Sequence, residues 1–172
     1  MKNVEIFDDF LKYEDFFKVK SLLMGDTLPW YYNSYKSRKD ETLKEQEVNN
    51  IQFIHNFYEN LQPVSPFIST LEPLINTINP ISVVRIKANL NPVTSERVVY
   101  GFHNDFDIET APLKTAVFYV NTNNGATVFK NGEEVVSKEN RLVVFDSHLV
   151  HAGTSCTDEK TRVLLNLNFI KW

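Results

Sequence analysis

One cysteine in 172 residues, Cys156, excludes an intrachain disulfide and a cysteine-built zinc site, and fits a reducing compartment. Cys156 itself reads as a small loop residue without a role. Long apolar runs are missing too: no stretch approaches the roughly 18 consecutive apolar residues of a membrane span. The start Met-Lys-Asn-Val-Glu lacks the basic-then-apolar layout of a signal peptide. The expectation is a cytoplasmic protein with no membrane partner. Nor is there a surplus of positive charge. Lys and Arg number 18 against 22 Asp and Glu, a formal net charge of −4, which disfavours a protein whose main task is gripping a phosphate backbone. Nucleic acid is therefore not an expected partner. There is no internal repeat and no sign of a second domain. With 42% hydrophobic and 23% charged residues, the chain has an ordinary globular composition and is long enough for one core. Residues 1–172 read as a single domain, and no feature sets an oligomeric state.

The first half has helical character. Ile6, Phe7, Phe10, Leu11, Phe16, Phe17, Val19, Leu22 and Leu23 fall mostly at helical intervals, with Asp8 and Asp9 available as caps, predicting one or two helices before Gly25. Trp30, Tyr31 and Tyr32 precede a polar, charged segment from Ser34 to Gln46, and together residues 30–47 could form a lid. Ile51, Ile54, Phe57, Tyr58 and Leu61 mark one face of a further predicted helix that Pro63 stops, with His55 as a structural histidine. Ser65-Pro66 has the form of an N-cap, and the helix beyond it is kinked or split by Pro73.

From Ile81 the period changes to alternation. Short strands are predicted over 82–90, 98–102, 115–121, 126–130, 142–145, 148–152 and 163–170, with turn signals at Asn123-Asn124-Gly125 and Asn131-Gly132. The expected class is mainly β with N-terminal helices: a helix-rich 1–80 supporting a jelly roll at about 81–172, with the helices packed outside.

Within the strands stands an ordered constellation: His103 and Asp105, then His151, then Arg162. Two imidazoles and a carboxylate can occupy one face of an iron(II) octahedron, leaving three positions for a chelating cosubstrate and dioxygen. On a strand, residues i and i+2 share a face, so His103 and Asp105 can point inward together. His148 and His151 compete for the third position. Small Ala152 and Gly153 behind it favour His151, and His148 reads as an ordinary strand histidine. Arg162 opens the last strand, expected to lie in a hairpin beside the His151 strand, and shares a face with Leu164, Asn166 and Asn168. Desolvating such an arginine costs several kcal/mol unless it is paired. The partner is either a ligand carboxylate or an acid at the surface. Lys87 and Asn89 share a face of the first strand and could reach the pocket, although solvent exposure is expected for Lys87.

In these pieces the chain resembles the iron(II)- and 2-oxoglutarate-dependent dioxygenases, in particular the prolyl 4-hydroxylase-like group. The resemblance covers about Val83 to Phe169. It rests on His103-x-Asp105, Phe118-Tyr119-Val120-Asn121, Gly125-Ala126-Thr127-Val128-Phe129, Asn140 to Phe145, His151-Ala152-Gly153 and Arg162, in the family's order. It implies a double-stranded β-helix in which His103, Asp105 and His151 hold Fe(II). It implies further that Arg162 clamps the distal carboxylate of 2-oxoglutarate, with Tyr119 either donating to that carboxylate or serving as a core aromatic. The implied reaction consumes O2 and 2-oxoglutarate, releases succinate and CO2, and hydroxylates an unactivated C–H bond; ascorbate is a reductant that the resemblance admits. A peptide, protein or small molecule fits as substrate, a prolyl residue being the family's first suggestion. Where many members carry a double glycine and an acid this chain has Asn124-Gly125-Ala126-Thr127, and the loop Asn91 to Arg97 matches nothing assignable. The competing class is a non-catalytic jelly-roll module holding zinc or nickel in the same three ligands.

Overall fold

The computed structural model describes residues 4–34, 51–109 and 112–171. Its spine is the last strand, β11 (Thr161–Ile170), which pairs antiparallel on one side with β5 (Ser82–Pro92) and on the other with β6 (Leu113–Tyr119). Outside β6 lie β9 (Arg141–Asp146) and β1 (Val4–Phe7); outside β5 lie β3 (Gln52–Glu59), the short β4 (Gln62–Pro63) and β2 (Tyr31–Asn33). A second, smaller sheet has the order β10-β7-β8, from β10 (His151–Gly153), β7 (Ala126–Phe129) and β8 (Glu134–Val136).

Side-chain parity on the spine divides the molecule into layers. Val163, Leu165, Leu167 and Phe169 turn to one face, where they join Ile86, Ala88, Ala116 and Phe118 against Phe16, Val19 and Leu23 of α1 (Tyr13–Met24) and Leu74 and Ile78 of α2 (Glu72–Ile78). The opposite face, between the two sheets, holds a smaller cluster of Val117, Tyr119, Phe129, Val135, Val143, Phe145 and Leu164. Helices thus pack outside a jelly roll, as expected, and the polar residues Arg162, Asn166 and Asn168 stand on the inner face.

The helix-rich reading of residues 1–80 needs correction. Val4–Phe7 is an edge strand in register with Leu142 to Phe145, and only α1 lies before Gly25. Lys12 occupies the N-cap of α1 with no side-chain cap, and Asp8 instead pairs with Arg141 and Lys138. The helix predicted around Ile51 to Leu61 is strand β3. Its register on β5 shifts between Asn56 and Tyr58, so its apolar residues fall at mixed intervals that imitate a helix. His55 is structural: buried, with Nδ1 2.8 Å from the Pro29 carbonyl and Nε2 2.7 Å from Ser65 Oγ. Pro73 splits the next helical segment as expected, into a 3₁₀ turn (Ile68–Leu71) and α2, where the proline sits in the first turn. Cys156 is buried in a turn, its Sγ 3.4 Å from the Glu159 carbonyl. Residues 35–50, most of the expected lid, lie outside the described residues; Tyr31 and Tyr32 before them are exposed.

Candidate metal centre

The backbone of the segment before His103 meets the small sheet through isolated bridges, Val99 with Thr154 and His103 with His151, and Arg97 pairs with Glu134 of β8 at 2.7 Å. The strand predicted over 98–102 is therefore reduced to single contacts, and His103-x-Asp105 does not rest on a strand. A more local device joins its members. His103 and His151 exchange both backbone hydrogen bonds, at 2.9 and 2.8 Å, and the Asp105 N–H then donates to the Ser147 carbonyl at 3.1 Å. The ligand atoms of His103, Asp105 and His151 lie within 4.8 Å of one another. His148 sits in the turn between β9 and β10, outside this group.

Each imidazole is fixed by its own backbone. Nδ1 of His103 lies 3.1 Å from the Gly101 carbonyl and Nδ1 of His151 lies 2.9 Å from the Leu149 carbonyl. A carbonyl only accepts, so both Nδ1 atoms carry the proton and both Nε2 atoms present lone pairs. Burial lowers the pKa of His151 despite the attraction of Asp105, in the direction of the uncharged imidazole that a metal ligand requires. Asp105 is held at both oxygens. Oδ2 accepts from Thr115 Oγ1 at 2.7 Å, Asn168 Nδ2 at 3.0 Å and Asn166 Nδ2 at 3.4 Å, while Oδ1 accepts from Arg85 Nη2 at 3.2 Å. Burial alone would raise its pKa, but His151, Arg85 and these donors outweigh that and lower it, so the carboxylate is ionised. These surroundings suit a divalent cation bound by two neutral nitrogens and one anionic oxygen.

Arg162 lines the same cavity. It is 2% exposed; Nε donates to Ser137 Oγ at 2.8 Å, and Nη2 is buried with no protein partner. Among the described residues it pairs with no carboxylate, so the surface-acid alternative is not realised. The guanidinium lies over the Tyr119 ring at 5.5 Å, and burial lowers its pKa. The Tyr119 hydroxyl is 3.1 Å from the Val135 carbonyl and 2.8 Å from Thr127 Oγ1. Its proton is thus donated to Val135, and it is Thr127 that reaches the cavity wall. The hairpin expected between the strands of His151 and Arg162 does not form. β10 pairs with β7 and β11 with β5 and β6, and the two residues meet across the cavity between sheets.

Lys87 and Asn89 also line the cavity, together with Arg85 and Asn91 from the same face of β5. Lys87 is thus drawn inward, and burial beside Arg85 lowers its pKa. Sequence reasoning gives Arg85 and Thr115 no role and places Asn168 only on the face it shares with Arg162. Arg85 was accessible to it, being two residues before Lys87 on an alternating strand, whereas Thr115 and Asn168 become neighbours of Asp105 only through the pairing of β6 with β11.

No family model matches the sequence, and no curated protein matches it. Solved structures do resemble the fold. A 2OG-Fe(II) oxygenase family oxidoreductase from Burkholderia pseudomallei superposes with a TM-score of 0.67 at 10% identity, over 98% of this chain and 85% of its own. A prolyl hydroxylase from Trichoplax adhaerens, bound to a peptide fragment of the hypoxia inducible factor oxygen degradation domain, gives 0.63 at 12% identity, over 97% and 83%. HygX from Streptomyces hygroscopicus, with nickel and 2-oxoglutarate bound, gives 0.60 at 11%, over 97% and 82%. Among the described residues, no helix is long and apolar enough to cross a membrane. The chain has the fold of the 2OG-Fe(II) oxygenases, prolyl hydroxylases among them.

Proposed function

We propose that the protein is an Fe(II)- and 2-oxoglutarate-dependent dioxygenase, acting as one domain, that hydroxylates an unactivated C–H bond and yields succinate and CO2. The observation that carries this reading is the Nη2 of Arg162, a buried cation end without a protein partner, on the wall of the cavity that holds the three ligand atoms. A structural metal module has no use for a desolvated arginine, whereas a dicarboxylate chelated at the metal brings the missing anion to it.

His103, Asp105 and His151 would hold the iron, and Arg162 would receive the distal carboxylate. When bound, the iron and 2-oxoglutarate supply the oxidising chemistry, consuming O2. The chain's own residues orient the reactants. Thr115 and Asn168 hold the Asp105 carboxylate, the Gly101 and Leu149 carbonyls hold the imidazoles, and Ser137 with the Tyr119 ring holds the guanidinium. Tyr119 contributes from behind Arg162 through its ring. A prolyl residue of a peptide is the substrate that fold analogy suggests, which is an argument from the fold and not from the site.

The test is anaerobic titration of the Fe(II)-loaded protein with 2-oxoglutarate, following the visible charge-transfer absorption that direct chelation produces. The absorption is expected in the native protein. Arg162→Ala is expected to lose most of its 2-oxoglutarate affinity while retaining the metal. A folded, iron-loaded protein without this absorption, or an Arg162→Ala protein that binds 2-oxoglutarate unchanged, overturns the reading in favour of a metal-binding module.

A further inference from the structure

The cavity holds more positive charge than the proposed cosubstrate and metal use. Its lining has three basic side chains, Arg85, Lys87 and Arg162, against one carboxylate, Asp105. Arg162 is taken by the cosubstrate and Arg85 is spent on Asp105 Oδ1 and, through Nε, on Asn168 Oδ1 at 3.0 Å. Lys87 is left over. Among the described residues it makes no salt bridge; Asp105 and Glu59 act on it only through space, and Arg85 beside it repels it.

A second imbalance lies on the neighbouring strand. Asn166 stands opposite Lys87 in the β5–β11 register and is 9% exposed. Its amide is oriented, because Nδ2 faces Asp105 Oδ2 at 3.4 Å, so the other end is the carbonyl oxygen. That Oδ1 is buried without a partner, as is Oδ1 of Asn89, the next residue along the same face of β5. A buried acceptor left unsatisfied is destabilising, because its desolvation goes uncompensated. 2-Oxoglutarate cannot satisfy it, since a dicarboxylate keto acid at neutral pH has acceptors only and no N–H or O–H.

We infer that the substrate is a free α-amino acid, its carboxylate bound by Lys87 and its ammonium group donating to the amide oxygens of Asn166 and Asn89. The two imbalances are complementary and adjacent, one lacking an anion and the other lacking a donor, and an α-amino acid carries both within one carbon atom. A prolyl residue inside a peptide has neither a free carboxylate for Lys87 nor an N–H of its own for the two amide oxygens. This inference deepens the oxygenase reading and rests on it for the reaction, but the binding pattern can be tested separately.

The experiment uses the full chain loaded with Zn(II) and 2-oxoglutarate, which cannot turn over. Each of the twenty common L-amino acids and its C-terminal carboxamide is titrated in by calorimetry, alongside a peptide with an internal prolyl residue. The expected result is binding of at least one free amino acid, with its carboxamide weaker by about tenfold or more, the consequence of one lost charge-assisted hydrogen bond. Lys87→Met, which keeps the aliphatic stem, is expected to lose the amino acid by a similar factor while its affinity for 2-oxoglutarate stays within about twofold of native. The inference is overturned if no amino acid binds, if carboxamides or the prolyl peptide bind as tightly, or if Lys87→Met weakens 2-oxoglutarate instead. Failure of the native protein to take 2-oxoglutarate defeats the oxygenase reading alone. Lys87-dependent capture of an amino acid would survive it.

Discussion

Replacing Gly125 by alanine tests the geometry of the arginine with one methyl group. A Cβ at this position would lie 2.5 Å from Arg162 Cδ, 2.9 Å from Asn123 Oδ1 and 3.0 Å from Arg162 Nε. To restore ordinary contact near 3.4 Å, the Arg162 side chain must retreat by roughly 1 Å. It has little room to do so, since Nε is bonded to Ser137 Oγ, the guanidinium lies on the Tyr119 ring, and Asn123 Oδ1 is tied to the Gly125 N–H at 3.0 Å. Overpacking of this kind destabilises by about 1–3 kcal/mol. Its larger consequence is for the ligand. A guanidinium displaced by about 1 Å loses one of its charge-assisted bonds to a bound carboxylate, worth about 1.5–3 kcal/mol, so 2-oxoglutarate should bind about tenfold to a hundredfold more weakly. The assay is the anaerobic 2-oxoglutarate titration, with Mn(II) affinity measured in parallel and expected to stay near native, because His103, Asp105 and His151 do not touch Gly125. A Gly125→Ala protein with native 2-oxoglutarate affinity would refute the claim that this arginine is held in place for a carboxylate.

Thr115→Val keeps the side-chain shape and removes the 2.7 Å donor to Asp105, so Mn(II) should bind about tenfold more weakly by electron paramagnetic resonance; unchanged affinity would show that Asn168 and Arg85 suffice. His55→Leu removes the ring that bonds both the Pro29 carbonyl and the buried Ser65 hydroxyl, leaving Ser65 Oγ only the Phe67 N–H, and urea denaturation should show a loss of about 1–3 kcal/mol with metal binding intact; a loss under about 0.5 kcal/mol would count against a structural role for His55. The Asp8 carboxyl is held at about 2, below its ordinary 3.8, by hydrogen bonds from Arg141 and Lys138. Because the folded pKa is the lower one, the stabilisation is present above about pH 4 and disappears as the pH falls to about 2. Asp8→Asn should flatten that part of the stability profile, more visibly at low salt because the carboxylate is 40% exposed; an unchanged profile refutes the pairing.

His103, Asp105, His151 and Arg162, which the fold brings around one cavity, stand out in the sequence more readily than the backbone that carries them. Alternation along β11 was readable because one face is apolar throughout and the other carries Arg162, Asn166 and Asn168, so a period of two survives in the composition. Strand β3 was not readable, because its bulge shifts the phase and places Ile51, Ile54, Phe57 and Tyr58 at intervals of three and four. β1 was hidden for a different reason. Its place in the sheet depends on pairing with residues about 140 positions later, and no local pattern encodes such a pairing. The partners of Asp105 belong to the same class, since Thr115 and Asn168 meet only when distant strands fall into register.

The bridge between His103 and His151 is a single pair of residues, joining a long connection to the end of a three-stranded sheet. An ion held by His103, Asp105 and His151 would span that same joint and close a loop of 48 residues, much as a reversible crosslink does. The metal then has a mechanical office besides its chemical one. Loss of such an ion would loosen the connection that carries two of the three residues proposed to hold it, so the persistence of the folded protein would follow how much of the metal its surroundings supply.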